Sequence, residues 1–176
     1  MLKPPRPGSF GANTSMPLFA QVDWARSRAY ALGLNGIYLN EKGREAQGIV
    51  GADAVAALKT EIAARLRALR DGDSIVVNDV FDAAAIYSGA HTGDAPDLVV
   101  GYAPGYRASW QTTLGAAPAA LVEDNLQDWS GDHCIDPSAV PGVLFTSFPL
   151  DTTVANIGDL SSLILQRLSA PAKTSP

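Results

Sequence analysis

The sequence is poor in the residues that disulfide frameworks and metal sites require. Its 176 residues include one cysteine, Cys134, and two histidines, His91 and His133. One cysteine excludes an intramolecular disulfide, and we interpret Cys134 as a buried, small apolar residue. Two histidines set a low ceiling on any histidine-rich metal site within this chain. We expect His91, which lies in a polar stretch flanked by glycines, to be exposed to solvent.

Basic clusters and long apolar runs are also missing. The chain has 13 basic and 18 acidic residues, so its formal net charge is −5. This balance argues against a nucleic-acid polymer or an anionic membrane surface as a partner, because both attract clustered Lys and Arg. Each apolar stretch is interrupted well before the roughly 20 residues of a membrane span, so we expect no transmembrane segment. Apolar residues still make up 47% of the chain, which is enough for a globular core.

Hydrophobic periodicity predicts helices that alternate with apolar strands. The Asn35-Gly36 pair within residues 30–40 is typical of a hairpin turn. Residues 53–69 have the apolar spacing of an amphipathic helix, with Asp53 as its N-cap. The remaining predicted elements are strands at 74–80, 97–102 and 143–146, a helical turn at 83–87 and a helix at 157–168. The continuous apolar run at 97–102 is typical of a strand buried on both faces, so the alternation predicts an α/β fold.

Standard catalytic motifs are mostly missing as well. The sequence has no Gly-rich dinucleotide loop, Walker loop, GxSxG elbow, HExxH helix or CxxC pair. The segment richest in chemistry is WSGDHCID at 129–136, where His133 lies between Asp132 and Asp136 in a stretch without periodicity. An imidazole beside carboxylates suits a metal ligand whose second ring nitrogen is oriented by a carboxylate. The same GDH tripeptide is also typical of a simple turn.

Three segments resemble the C-terminal part of the type I phosphodiesterase/nucleotide pyrophosphatase family of the alkaline phosphatase superfamily. They are VDWARSRAYALGLNGIYLNEKGREAQGIV (22–50), APDLVVGYAPGYRASWQTTLG (95–115) and VEDNLQDWSGDHCIDPSAVPGVLF (122–145), in the family's order. IGDLSSLILQRL at 157–168 is similar to the family's last helix. The resemblance implies a partial alkaline phosphatase-like three-layer fold over residues 22–169, with a largely parallel sheet flanked by helices. We expect residues 1–21 to form a flexible arm and residues 170–176 a flexible tail.

The resemblance also implies an activity and a metal site. The family's members hydrolyse phosphoric ester or anhydride bonds, with a phosphate ester or nucleotide as substrate and two zinc ions at the carboxyl ends of strands. His133 is similar to the late histidine ligand of one zinc, with Asp132 and Asp136 as neighbours that support it. The upstream motifs that carry the Thr or Ser nucleophile and the other ligands have no match here. We therefore expect a C-terminal segment of such an enzyme that binds at most one zinc weakly and is inactive by itself.

Four further residues form a candidate substrate cleft. Tyr102, Tyr106, Arg107 and Trp110 lie in the run GYAPGYRASW, where aromatic walls and an arginine that binds phosphate bidentately would suit a nucleotide. The alternative is that the aromatics pack beneath a long loop and that the arginine is structural. Two other functions also stay open. One is a related enzyme that acts on a phosphomonoester or a sulfate, and the other is a non-catalytic α/β module that binds a metal, a nucleotide or a protein.

Overall fold

The computed structural model describes residues 19–20, 22–113, 118–126, 134–150 and 153–169. These residues fall into two compact units that divide between Ala139 and Val140. The predicted arm, apart from residues 19 and 20, and the predicted tail therefore lie outside the described residues. Within the described part of the chain, every helix is too short or too polar to cross a bilayer.

The first two strands form the predicted hairpin. β1 (Ala29–Leu32) pairs antiparallel with β2 (Gly36–Leu39). Residues 33–35 connect the strands, and Gly33 has the positive φ of 75° that favours glycine in a tight turn. The hairpin is confirmed, but its turn lies earlier than Asn35-Gly36, because Gly36 already belongs to β2.

The longest element is α1 (Ala52–Arg67), which confirms the predicted amphipathic helix except at its ends. The N-cap is Gly51, which has extended backbone geometry and no side-chain capping bond. The predicted Asp53 cap is therefore wrong. Asp53 lies in the first turn, where a negative charge is favourable beside the positive end of the helix dipole. The helix buries Leu58 in a cluster with Leu39 of β2 and Val50, and it buries Ala63 in a cluster with residues that come later in the chain.

The sheet is antiparallel throughout. After α1 come a small hairpin of β3 (Arg70–Asp71) and β4 (Ser74–Ile75), then β5 (Val77–Asp82), α2 (Ala83–Ile86) and β6 (Leu98–Tyr102). The four-stranded sheet has the order β1-β2-β6-β5, and each neighbouring pair is antiparallel. The predicted largely parallel sheet of a three-layer fold is therefore wrong. Parallel pairing among the described residues is limited to isolated bridges, such as Tyr102 with Ile135.

The topology explains why the parallel prediction failed. β2 and β5 run in the same direction, since each is antiparallel to β6, and α1 lies between them along the chain. Such a β–α–β sequence normally places its two strands side by side in a parallel sheet. Here β6, which comes later in the chain, lies between them and pairs antiparallel with both. The unit is a split βαβ arrangement.

The core lies between α1 and one face of the sheet. Its larger cluster contains Ala63, Val76, Val77, Val80, Leu98 and Val100, and its smaller cluster contains Leu39, Val50 and Leu58. Side chains alternate between the two faces of a strand, so Leu98 and Val100 of β6 face α1 while Gly101 lies on the opposite face. That opposite face of the sheet carries the candidate site.

A buried asparagine joins the hairpin to the loop that follows. Asn40 is fully buried, and its amide nitrogen donates to the carbonyl oxygens of Trp24 (3.0 Å), Ser27 (2.9 Å) and Gln47 (3.2 Å). The main-chain carbonyl of Asn40 accepts from Ile49 and Val50. Main-chain groups that leave water need such partners, so Asn40 fixes the path of residues 41–48.

The second unit contains α4 (Asp159–Ser169), which confirms the predicted last helix with a start two residues later. Within this unit the Arg167 guanidinium lies 4.0 Å from the Phe148 ring centroid and donates to the carbonyl of Pro149. The predicted strand at 143–146 is wrong. These residues have no strand assignment, and Val143 and Phe145 are 83% and 90% exposed, so they lack the burial that a core strand requires.

Candidate functional site

The predicted ligand segment leads into a part of the chain that is held at the end of β6. His133 and Asp132 lie outside the described residues, whereas Cys134, the next residue along the chain, is described and buried as expected. Ile135 forms a parallel bridge with Tyr102, and the Asp136 N–H donates to the Tyr102 carbonyl at 2.9 Å. Two of the segments that carry the family resemblance therefore meet at the C-terminal end of β6.

Asp136 is buried, with 2% of its surface exposed, and both of its carboxylate oxygens have partners. Oδ2 accepts from the Asn78 side-chain amide at 2.7 Å, and Oδ1 accepts from the Ser138 N–H at 2.8 Å. Burial raises the pKa of the Asp136 carboxyl, but the hydrogen bonds from Asn78 and Ser138 outweigh it, so the net shift is downward. The ionised form is thus stabilised by neutral donors.

Gly101 of β6 permits this close approach. A Cβ at this position would lie 3.1 Å from both Cβ and Oδ2 of Asp136 and 3.1 Å from the Phe81 ring. Such distances are shorter than ordinary van der Waals contact, so any larger residue would push the carboxylate away from the sheet. Glycine in a strand interior often marks a place where another chain segment packs closely on the backbone.

Asn78 belongs to this site, but no motif in the sequence indicates it. The sequence places it only within the predicted strand SIVVNDV at 74–80. Asn and Asp are depleted in strands, so a polar pair in an apolar strand was a usable signal that the strand contacts something polar. In the structure Asn78 lies at the register shift between Val77 and Asp79, and its side chain donates to Asp136.

The residues of the predicted substrate cleft have different environments. Tyr102 and Tyr106 pack against the larger core cluster, and the Tyr106 hydroxyl donates to Asp71 at 3.0 Å. Arg107 is half-buried, and Trp110 begins the short helix α3 (Trp110–Thr113). Tyr102 also contacts the 134–136 segment. The role of these four residues in substrate binding stays a prediction.

A separate cleft of about 250 Å³ lies beside α2, and it does not include the predicted site residues. Arg44, Lys59 and Tyr87 are among its lining residues. Its two cations are paired with carboxylates, Arg44 with Asp97 at 2.6 Å and Lys59 with Asp82 at 2.8 Å. Each cation in the described lining therefore already has an acidic partner, so the cleft is poorly suited to an anionic ligand. His91 lies nearby with its side chain 92% exposed, as predicted.

The described residues do not by themselves form a zinc site. Among them, no group of three His, Cys, Asp or Glu side chains is close enough to hold a metal ion. Asp136 uses its oxygens to bind Asn78 and Ser138, which is the pattern of an anchoring residue. Zinc normally takes four ligands, so a metal bound at His133 needs further groups from sequence beyond these described residues.

The lowered pKa of Asp136 predicts a pH dependence of stability. A carboxyl whose pKa is lower in the folded state stabilises the fold above its unfolded pKa, about 3.9. That contribution is lost as the pH falls from this value through the folded pKa. We expect the urea midpoint of the wild type to fall more steeply below about pH 4 than that of Asp136→Asn, which has no charge to lose. Equal slopes for the two proteins would contradict the lowered pKa. Asp82, whose pKa is lowered chiefly by the hydrogen bond from Lys59, contributes equally to both proteins.

Comparisons with protein families, characterised proteins and solved structures give no match for this chain. The family resemblance therefore rests on the sequence segments alone.

Proposed function

We propose that this chain is the C-terminal segment of a zinc-dependent phosphodiesterase or nucleotide pyrophosphatase, to which it contributes one metal ligand, His133. The proposal keeps the metal ligand that the sequence resemblance implies. It does not keep the parallel sheet, which the structure contradicts. The observation that supports it most is the attachment of the residues after His133 to the end of β6. A metal ligand needs a fixed main chain, because a site that is loose by even about 1 Å loses much of its function.

Two features of the folded chain agree with this proposal. Arg44, from the first matched segment, binds Asp97 of the second through two hydrogen bonds, at 3.1 and 2.6 Å. Asp136, from the third matched segment, binds the main chain of Tyr102 in the second. Residues of all three segments are thus in contact within the first folded unit, as parts of one site would be. The nucleophile motif has no match in residues 1–176, so we assign no hydrolytic step to this chain alone.

Zinc binding tests the ligand assignment directly. The chain has two histidines, so NMR spectra of its imidazole nitrogens contain two sets of signals. We expect zinc to shift the signals of His133 and to leave those of exposed His91 unchanged. Binding should be weak and saturate only well above the protein concentration, since tight sites need three or four ligands. His133→Ala should abolish the response, and His91→Ala, the matched control, should retain it. A response that survives His133→Ala would overturn the assignment.

Activity is tested with a hybrid that supplies the missing motifs. The upstream part of a family phosphodiesterase is joined to residues 22–176, and hydrolysis of an aryl phosphodiester is measured with zinc. We expect the hybrid to be active and the bare chain to be inactive. His133→Ala should lower the hybrid's kcat/KM by more than the roughly 10- to 100-fold that loss of a ligand's supporting partner costs. Aryl phosphomonoester and aryl sulfate substrates test the related activities. Turnover by the bare chain would contradict the proposal.

A further inference from the structure

We propose that Asn78 and Asp136 are a positioning pair for the proposed ligand. They fix the main chain of residues 134–138, which directly follow His133 in the sequence, on the sheet. This inference rests on the proposed function for its meaning, because positioning matters only if His133 binds a metal. The contacts that carry it are all among described residues, and they are independent of the sequence resemblance.

The first step of the argument is that the pair is built into the sheet. Asn78 belongs to β5 and lies at the register shift between Val77 and Asp79, which both pair with β6. The Asn78 amide donates to Asp136 at 2.7 Å across the close approach that Gly101 allows. Because the residues on both sides of Asn78 are paired with β6, its main chain is held in place by the sheet. The position of Asp136, which accepts from Asn78, is therefore determined by the sheet and not by its own loop.

The second step is that both main-chain and side-chain contacts hold the short segment. Ile135 forms a parallel bridge with Tyr102, in which the Asp136 N–H donates to the Tyr102 carbonyl. The Asp136 side chain then turns the segment into a 3₁₀ turn at Pro137–Ala139, because Oδ1 accepts from the Ser138 N–H. A single hydrogen bond would leave the segment free to pivot. Contacts on both main chain and side chain define its direction as well as its position.

The third step is that no cation among the described residues accounts for the buried carboxylate. Among the described residues, no Lys or Arg forms an ion pair with Asp136. A buried ionised group without a counter-ion costs stability relative to an apolar residue, even when it is hydrogen-bonded. An apolar side chain would fill the space against Gly101 at less cost. The carboxylate is better explained by its hydrogen bonds. They are directional and so orient the segment, whereas an apolar contact would not.

Cys134 provides a probe of this segment in the intact chain. It is the only cysteine, it is buried, and it directly precedes Ile135. Its thiol reacts with a labelling reagent only when the segment opens, so the labelling rate reports the opening equilibrium. Asn78→Ala removes the donor, and Asn78→Asp places two carboxylates together. We expect each variant to raise the labelling rate about tenfold, the effect of losing one hydrogen bond to a buried group.

The double variant Asn78→Asp/Asp136→Asn separates positioning from general destabilisation. It exchanges donor and acceptor, so it should restore the hydrogen bond, the slow labelling of Cys134 and a rigid Ile135 amide in ¹⁵N relaxation. Asp136→Asn alone is expected to be mild, since Asn78 can rotate its amide and accept. Lys59→Met, which breaks the pair with Asp82 at the other end of β5, controls for lowered global stability. Its labelling rate should change only as far as its urea midpoint predicts.

The outcomes distinguish this inference from the proposed function. Fast labelling in Asn78→Ala and Asn78→Asp, with rescue by the double variant, supports the positioning pair. Unchanged labelling, or a rise that the double variant does not reverse, overturns it while the zinc response of His133 still stands. If the pair controls labelling but zinc never shifts the His133 signals, the proposed function fails, and the pair is only a structural anchor.

Discussion

Gly48→Ala should lower the free energy of unfolding by about 3 kcal/mol or more, at the upper end of what overpacking costs. A Cβ at residue 48 would overlap the carbonyl group of Glu41 and lie 2.8 Å from the Lys42 nitrogen. These are main-chain atoms, so no side-chain rotation relieves the clash. The Asn40 carbonyl accepts from two residues just beyond Gly48, which prevents the loop from moving aside.

Urea denaturation followed by circular dichroism measures the effect of Gly48→Ala. The matched control is Gly93→Ala, because a Cβ there meets no atom within 4 Å and no left-handed backbone conformation is required. We expect the control to be neutral or stabilised by about 0.4–1 kcal/mol, through the lower entropy of its unfolded chain. Equal midpoints for the two variants would show that the path of residues 41–48 is not fixed as described.

Arg44→Ala should destabilise the fold by about 2 to 4 kcal/mol, somewhat below the cost of breaking a fully buried pair because the side chain is partly exposed. The guanidinium binds both oxygens of Asp97 and donates to Glu45 at 2.9 Å and to the Leu39 carbonyl at 2.7 Å. The hydrogen bond to Asp97 raises the pKa of Arg44 above its ordinary value. Without Arg44, the Asp97 side chain, which is 10% exposed, loses its cationic partner.

The control for Arg44→Ala is Arg65→Ala. Arg65 also forms an ion pair at short distance, 2.8 Å to Glu61, but its side chain is 80% exposed. We expect a change of less than about 0.5 kcal/mol there, because solvent screens exposed pairs. Arg44→Lys should be intermediate, since an ammonium cannot bind a carboxylate bidentately. If Arg44→Ala were as mild as Arg65→Ala, the pairs would be equivalent and burial would have no part in the effect.

The elements that were predicted correctly are those whose signals are local. The spacing of Leu58 and its apolar neighbours defines one face of α1, and a helix with one apolar face packs on whatever apolar surface is available. The hairpin signal is equally local, although the strands end where Gly33 can adopt a positive φ. The cap was misplaced because Asp53 is equally favourable in the first turn of a helix, where the dipole attracts its charge.

Strand direction could not be predicted because its cause is not local. The apolar run at 97–102 indicates burial on both faces, and this is common to a parallel strand and to a central antiparallel one. The direction depends on where β6 inserts, which is set by contacts such as Leu98 with Ile37 and Val99 with Phe81. The run at 143–146 shows the same limit, because an apolar run without a pairing partner is not a strand.

The candidate site was predictable in part for the same reason. The residue types at 132–136 pointed to chemistry, and Asp136 does carry a specific set of hydrogen bonds. Its partner Asn78 lies 58 positions away along the chain, and neither residue has a spacing relation that identifies the other. Gly101 is also needed, because a side chain there would collide with Asp136. No sequence motif indicates this requirement. A site that depends on packing between distant strands is visible only in the fold.

The place of β6 in the sheet has a consequence for how the chain folds during synthesis. The hairpin and the α1–β5 unit contain mainly contacts close in sequence, so they can form as soon as they leave the ribosome. β6 is made after both and must enter a slot between β2 and β5, so those two strands expose unpaired edges until residues 98–102 emerge. At about 5–20 residues per second this interval lasts seconds, longer than a hairpin takes to form. The nascent chain is therefore most prone to intermolecular pairing just before its central strand arrives.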